Sequence, residues 1–426
     1  MPPIPVSIRL NPFKGCDGPE GSPVPWSPYG RILPERPNFT LDPLFHAGCY
    51  YVQDSSAMYV GHIFRKLLSG PGLLSGRSAT ILLQPLRVLD LCAAPGGKTT
   101  DLAASLREMC GDAFELVSNE VMAKRVRILA DNVAAWGDEN VKIVSADPSV
   151  IGRELPDYFD VIVADVPCSG EGMFRKDPRA EKEWSPELVQ LCAARQKRIL
   201  ADVWPALKAG GLLIYSTCTY EDAENDANLE WAASELGGEI IPPENEFESY
   251  GVQLTRHGNL LRAGESLGEG QWVGAMRKTE TPEAPAPAEE GLDIVSGEVG
   301  QGNAGSADSA KMAVSGRGQD AVLLRKAVRG GSGCHGPSRL RPAASGLAAL
   351  HPLTIDFASF DTSTPRVELD LQQALRYLHR DSFPLPQAPL GQILVCYRGH
   401  PLGYMKNIGS RCNNLFPKNR RILMDV

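Results

Sequence analysis

The chain of 426 residues contains no apolar run that approaches the roughly 18–20 residues needed to cross a bilayer. Its first residues, MPPIPVSIRLNPFK, lack the apolar stretch of a secretory signal, so export is not expected. The cysteines at 16, 49, 92, 110, 168, 192, 218, 334, 396 and 412 include no C-x-x-C pair. That scatter offers neither a disulfide framework nor a paired metal-ligand set, so free thiols in a reducing cytoplasm and no metal centre are expected. No internal repeat is visible. Net charge is −8, which at face value argues against a nucleic-acid partner. The distribution of that charge weakens the objection. Residues 280–300 carry six acids and no base, whereas 398–421 carry Arg398, Lys406, Arg411, Lys418, Arg420 and Arg421 and no acid. A local basic face matters more to a phosphate backbone than the sum over the chain.

What is present from residue 87 onward is alternation. The apolar stretches RVLDLC (87–92), Phe114–Glu120, VKIVSAD (141–147), YFDVIVADV (158–166), GLLIYSTC (211–218) and QWVGAMR (271–277) read as buried strands. Between them, Lys98–Met109, Val121–Trp136 and Ser185–Lys208 read as helices, the last with Ser185 as cap and Pro186 in its first turn. Strands this apolar, alternating with helices, imply an α/β domain with a parallel sheet covered on both faces. Residues 1–60 are rich in proline and aromatics and have weak periodicity. The Ala/Gly/Pro/Glu/Ser-rich stretch 279–345 reads as a disordered linker. Residues 346–426, with the short strand QILVCY (392–397), read as a small separate domain.

In such a sheet, ligands sit outside the carboxyl ends of the strands. The first strand runs into Cys92-Ala93-Ala94-Pro95-Gly96-Gly97-Lys98, small residues and two glycines that let a backbone approach a ligand closely. A Walker loop would need a glycine five positions before Gly97, where Cys92 stands, and G-x-G-x-x-G is absent from this turn. Glu120, Asp147 and Asp165 end the next strands. Acids along one edge suit a nucleoside that needs acceptors for its ribose and base and carries no phosphate. S-adenosylmethionine fits that description better than ATP or NAD. The plain alternative for each acid is a helix cap or a solvated turn.

Cys168 and Cys218 lie at the same edge, Cys168 within ADVPCSGEG and Cys218 within LIYSTCTY. A cysteine in an apolar setting is commonly an inert core residue. Beside a sulfonium methyl donor, however, a thiolate has a definite use. Its addition to carbon-6 of cytosine makes carbon-5 enamine-like and able to accept a methyl group. Asp165 would favour that addition by hydrogen-bonding the ring nitrogen and exocyclic amine as charge develops.

These residues resemble the Nop–Sun family of RNA (cytosine-5)-methyltransferases, and within it the bacterial small-subunit ribosomal RNA enzymes of the RsmF type. The resemblance rests on LDLCAAPGGKTTDLA, NEVMAKRVRILADN, ADVPCSGEGMFRKDP, LIYSTCTY, SIRLNPFK and HAGCYYVQDSSAM, in order over residues 5–278. PLGYMKNIGSRCNNLFPKNRRI resembles that group's C-terminal RNA-binding extension. The resemblance implies a Rossmann-like class I methyltransferase domain at 61–278. A short RNA-recognition segment would precede it at 1–60, and an RNA-binding domain would follow the linker at 346–426. It implies that Cys92 to Lys98 cradle S-adenosylmethionine, with Glu120 at the ribose, Asp147 on the adenine side, and Asp165 between cofactor and cytosine. Arg125 would lie on the cofactor side. It further implies that Cys218 is the nucleophile and that Cys168 assists product release, whereas in DNA cytosine-5 enzymes the "PC" cysteine attacks. Arg175 and Lys176 are candidates for phosphate contact, or simply a solvated basic turn. The family usually carries a helical leader before the counterpart of Arg9, which here follows only eight residues, and its linker is usually shorter.

The expected protein is therefore a monomeric cytoplasmic enzyme that methylates carbon-5 of a cytidine in RNA, 16S rRNA foremost and tRNA as the alternative. The target base would have to leave its stack. A non-catalytic RNA-binding assembly factor is the rival from another class, and the intact Cys168 and Cys218 argue against it.

Overall fold

A computed structural model describes residues 6–70, 85–175, 178–279, 346–355, 360–361 and 363–424. The linker expected at 279–345 lies outside these residues apart from Thr279, and so does Lys176.

The weakly periodic first segment forms a sheet of its own. Strands β1 (Val6–Leu10), β2 (Ser22–Pro23), β3 (Gly30–Leu33) and β4 (Tyr50–Val52) pair antiparallel in the order β2-β3-β1-β4. The short helix α1 (Pro43–His46) begins at Asp42, whose carboxylate accepts from the Leu44 amide at 2.9 Å. Cys16 and Cys49 are joined as a disulfide, which corrects the expectation that every thiol is free. They lie 33 positions apart, so no local spacing could signal the pair.

The central domain follows as α2 (Met58–Ser69), β5 (Leu86–Asp90), α3 (Gly97–Cys110), β6 (Phe114–Asn119), α4 (Ala123–Trp136), β7 (Val141–Val144), α5 (Pro148–Glu154) and β8 (Phe159–Asp165). It continues through α6 (Pro178–Glu183), α7 (Pro186–Val203), β9 (Leu207–Thr217), α8 (Asp226–Leu236), β10 (Gly238–Ile241), β11 (Val252–Leu254), β12 (Gly258–Arg262) and β13 (Gly270–Lys278). Ser185 caps α7 as expected, accepting from the Leu188 amide at 3.2 Å. The strands are apolar without interruption because both faces are covered. Val161 and Val163 of β8 join one core cluster with residues of α2, α3 and α4. Ile162 and Ala164 join the opposite cluster with residues of α5, α7 and α8.

The nine strands run β11-β12-β13-β9-β8-β5-β6-β7, with β10 beside β13. Strands β5 to β9 are mutually parallel, but β13 pairs antiparallel with β9, β10 and β12. The sheet is thus mixed rather than wholly parallel. Short returning segments such as β11 and β12 suffice for antiparallel pairing, with no crossover helix. From β5 the chain steps outward to β6 on one side, and β8 takes the other side. That reversal opens a crevice at the carboxyl ends of β5 and β8.

The C-terminal segment folds as β14 (Arg366–Glu368), α9 (Leu371–His379), β15 (Gly391–Tyr397), β16 (His400–Asn407) and β17 (Cys412–Asn414), the strands paired in that order. Asp370 and Gln373 close a reciprocal capping box on α9. This segment does not build a separate core. Leu369, Tyr377, Val395 and Met405 pack in one cluster with Ile8, Cys49 and Tyr50 of the N-terminal sheet. No described helix is long and apolar enough to cross a membrane.

Candidate active site

At the carboxyl end of β5 the chain turns sharply into α3. The Ala93 amide donates to the Asn119 carbonyl at 2.8 Å, and the Gly96 amide closes back on the Ala93 carbonyl at 2.8 Å. Gly96 takes φ +111°, which a side chain would resist, and this lets α3 begin at Gly97. Arg9 of β1 braces the turn from behind. Its buried guanidinium donates to Gln53 at 2.9 Å, to the Gly97 carbonyl at 3.1 Å and to the Thr100 hydroxyl at 2.5 Å. Asp90, wholly buried, accepts from the Thr99 hydroxyl at 2.6 Å. Burial, against that hydrogen bond, pushes its carboxyl up to about 7. Burial likewise raises the Cys92 thiol, which disfavours its thiolate.

Glu120 follows β6 and is 2% exposed. One oxygen accepts from the Met122 amide at 2.9 Å. The other lies 3.0 Å from an Arg125 nitrogen but has no aligned hydrogen-bond donor. Arg125 also donates to the Ala94 carbonyl at 2.5 Å, tying the glycine turn to Glu120. A buried carboxylate oxygen awaiting a donor beside a glycine turn fits a ribose hydroxyl. Asp147 is different. It is exposed and caps α5, accepting from the amide and hydroxyl of Ser149 at 3.0 and 2.6 Å. Those bonds hold its carboxyl below the usual range.

Asp165 ends β8 at the centre of the crevice and is held on both oxygens. Lys98 donates to one at 2.8 Å; Ser216 at 2.7 Å and Gln271 at 3.2 Å donate to the other. Burial alone would depress the Lys98 ammonium, but Asp165 overrides it and raises Lys98 above its ordinary value. Lys98 is therefore held as a charged donor at neutral pH.

The two cysteines meet beside it. Cys168 and Cys218 approach to 3.1 Å between sulfurs, and the Cys218 amide points at the Cys168 sulfur at 3.3 Å. The hydrogen bond from Cys168 lowers the Cys218 thiol against burial and Asp165, with Lys98 assisting. The same bond, followed by burial, raises Cys168. The pair thus eases loss of the Cys218 proton and retains that of Cys168.

Two acids outside the expected set hold this geometry. Glu171 accepts from the Thr219 hydroxyl at 2.8 Å and the Tyr220 amide at 2.7 Å, clamping the loop that carries Cys218. Glu224, wholly buried, accepts from the Ser169 amide at 3.1 Å and from Gln196 at 2.6 Å, fixing the loop that carries Cys168. Sequence reasoning misses Glu171, Gly172, Glu224, Ser216, Gln271 and Arg9. Glu171 and Gly172 do lie in ADVPCSGEG, but nothing in a linear pattern ties an acid to a loop some fifty positions on. Arg175, read as a phosphate contact or solvated turn, instead packs with its side chain 15% exposed and its guanidinium 4.0 Å from Glu269.

Comparison with known proteins speaks to the same three regions. Residues 81–247 match the family model for 16S rRNA methyltransferase RsmB/F. Residues 2–55 match the N-terminal domain of 16S rRNA methyltransferase RsmF, and 364–422 the methyltransferase RsmF PUA domain. The chain is 32% identical over 451 aligned positions to the ribosomal RNA small subunit methyltransferase F of Escherichia coli (strain SE11), covering 98% of this chain and 90% of that one. The chain belongs to the RsmF family of methyltransferases. The namesake from Shigella boydii serotype 18 gives the same identity and coverage. Among solved structures, a methyltransferase homolog from Pyrococcus horikoshii is similar at TM-score 0.52 and 26% identity, over 65% of this chain and 87% of that chain. In this RsmF-family enzyme the mixed sheet is a Rossmann-like methyltransferase domain, and β14 to β17 with α9 form the PUA-like domain.

Proposed function

We propose that this enzyme transfers a methyl group from S-adenosylmethionine to carbon-5 of a cytidine in 16S rRNA through a covalent Cys218 adduct. The observation that carries this reading is the pair of sulfurs 3.1 Å apart beside the Lys98–Asp165 pair, at the carboxyl ends of β8 and β9. The choice of substrate follows the activity for which the relatives are named, and it implies work in the cytoplasm where ribosomes are assembled.

S-adenosylmethionine supplies an electrophilic methyl group. The turn from Cys92 to Lys98, Glu120, Arg125 and Asp147 would hold it, with the Glu120 oxygen taking a ribose hydroxyl. Cys218, as thiolate, adds to carbon-6 of the flipped base, and the ring electrons shift to carbon-5. The Lys98 ammonium offers a donor to the charge that builds on the ring, and Asp165 accepts from the exocyclic amine. After transfer, carbon-5 gives up its proton to solvent, the electron pair of that bond restores the carbon-5–carbon-6 double bond, the carbon–sulfur bond breaks, and Cys218 leaves as thiolate. Cys168, hydrogen-bonded to that sulfur, stabilises the departing thiolate.

The test is a pair of variants given 16S rRNA and labelled S-adenosylmethionine. Cys218→Ala should lose methyl transfer and form no adduct. Cys168→Ala should accumulate a protein–RNA complex that survives denaturation. Adduct in the first and none in the second would reverse the roles.

A further inference from the structure

Three ligand-type side chains converge away from the crevice. Cys16 follows β1, Cys49 precedes β4, and His400 opens β16 of the PUA-like domain, 384 residues beyond Cys16. Their sulfur and nitrogen atoms lie within 4.8 Å of one another, with His400 Nδ1 3.3 Å from Cys16 Sγ. The second sulfur, Cys49, is wholly buried. Among the described residues this is the only such cluster.

We propose that Cys16, Cys49 and His400 form a zinc site that fastens the PUA-like domain to the N-terminal sheet. The redox part of this inference rests on the proposed function, since an enzyme acting on ribosomal RNA works where thiols are kept reduced. There a thioredoxin-class dithiol, or two molecules of glutathione, supplies two electrons and two protons and is itself oxidised to a disulfide, and the Cys16–Cys49 disulfide becomes two thiols. Zinc then displaces both thiol protons and takes Nδ1 of neutral His400 as third ligand. Tetrahedral zinc with sulfur at about 2.3 Å and nitrogen at about 2.0–2.1 Å places a sulfur roughly 3.6 Å from the nitrogen and roughly 3.8 Å from the second sulfur. The Cys16–His400 separation of 3.3 Å needs to open only slightly to reach that spacing. Cys16 is 9% exposed, but His400 is half-buried, so the fourth position would open on its side, where water can complete it.

The two forms differ in what they join. The disulfide closes residues 16 to 49 on themselves and leaves His400 in contact only. The metal bonds His400 to both cysteines and so links the two ends of the chain.

The experiment uses the full chain, reduced, desalted anaerobically and titrated with zinc alone, then with cobalt(II) as a spectroscopic substitute. One metal per chain is expected, with sulfur-to-cobalt charge-transfer absorption and a rise in Tm that a chelator reverses. His400→Ala should weaken metal binding roughly tenfold or more. Because Cys49→Ser places a hydroxyl in a buried site and risks misfolding, Cys16→Ser serves as the second variant and should abolish the charge-transfer band. No metal uptake by the reduced chain, or uptake unchanged in His400→Ala and Cys16→Ser, overturns the site. None of these readouts depends on methyl transfer, so failure here is separable from failure of the proposed reaction.

Discussion

Gly172→Ala should separate catalysis from cofactor binding with one methyl group. The Gly172 amide donates to the Cys218 carbonyl at 2.7 Å, which ties the turn after Cys168 to the backbone of the second cysteine. A Cβ at Gly172 would stand 2.8 Å from that same oxygen and 3.1 Å from the Gly270 carbonyl. Ordinary contact begins near 3.4 Å, so the shortfall at Cys218 is about 0.6 Å. Gly172 does not take a positive φ, and alanine therefore adds no backbone strain of its own. The misfit must be absorbed by moving the Cys218 backbone or the Cys168 turn by several tenths of an ångström. Misplacement by 1 Å costs about a hundredfold in rate, so roughly a tenfold fall in kcat is expected. Overpacking should also cost about 1–3 kcal/mol of stability, visible as a Tm lower by a few degrees. Single-turnover methyl transfer to 16S rRNA measures the first quantity, and calorimetric titration with S-adenosylmethionine should show affinity within twofold of the parent. A rate within twofold of the parent, or a rate loss matched by lost cofactor affinity, would refute the reasoning.

Lys98→Met removes the charge that helps hold Cys218 below an ordinary thiol, so its alkylation midpoint should move to higher pH. An unmoved midpoint would show that Lys98 does not act on the thiolate. Asp90 has its carboxyl raised to about 7 by burial, from an ordinary value near 3.8, so the folded chain binds more protons than the unfolded one between these values. Its contribution is present below pH 3.8 and is lost as pH rises through about 7. Between pH 5 and 8 the Asp90→Asn chain should therefore lose about 3 kcal/mol less stability than the parent in denaturant titrations; equal losses would falsify the assignment. Lys406 and Arg411 are exposed on the PUA-like domain. Alanine at each should weaken 16S rRNA binding and reduce the salt slope by about one, and an unchanged slope places the RNA elsewhere.

The strands that carry the site were legible because burial on both faces leaves a mark in every residue. VIVA before Asp165 is the clearest case. Their ends were less so: VKIVSAD reads through to Asp147, yet β7 stops at Val144, because Asp147 turns to cap α5. The N-terminal sheet was invisible for another reason. Its strands are two to five residues long, too short for a period of two to establish itself. At the site, Cys168, Cys218, Asp165 and Glu120 could be named from their places at strand ends. Their mutual geometry could not, since Gln271 and Ser216 reach Asp165, and Glu171 and Glu224 fix the loops of Cys218 and Cys168, only after the sheet has formed. The Cys16–Cys49 pairing has the same cause.

The shared core of the N-terminal sheet and the PUA-like domain sets an order of events during synthesis. Ile8, Cys49 and Tyr50 leave the ribosome first, but their packing partners Leu369, Tyr377, Val395 and Met405 leave last. Some 320 residues separate Cys49 from Leu369. At about 5–20 residues per second, the first sheet waits roughly 15–65 s with its apolar face uncovered. The nascent chain must spend that interval shielded or unpaired. A truncation or stall in the final domain would therefore be felt first at the opposite end, as aggregation through β1 to β4.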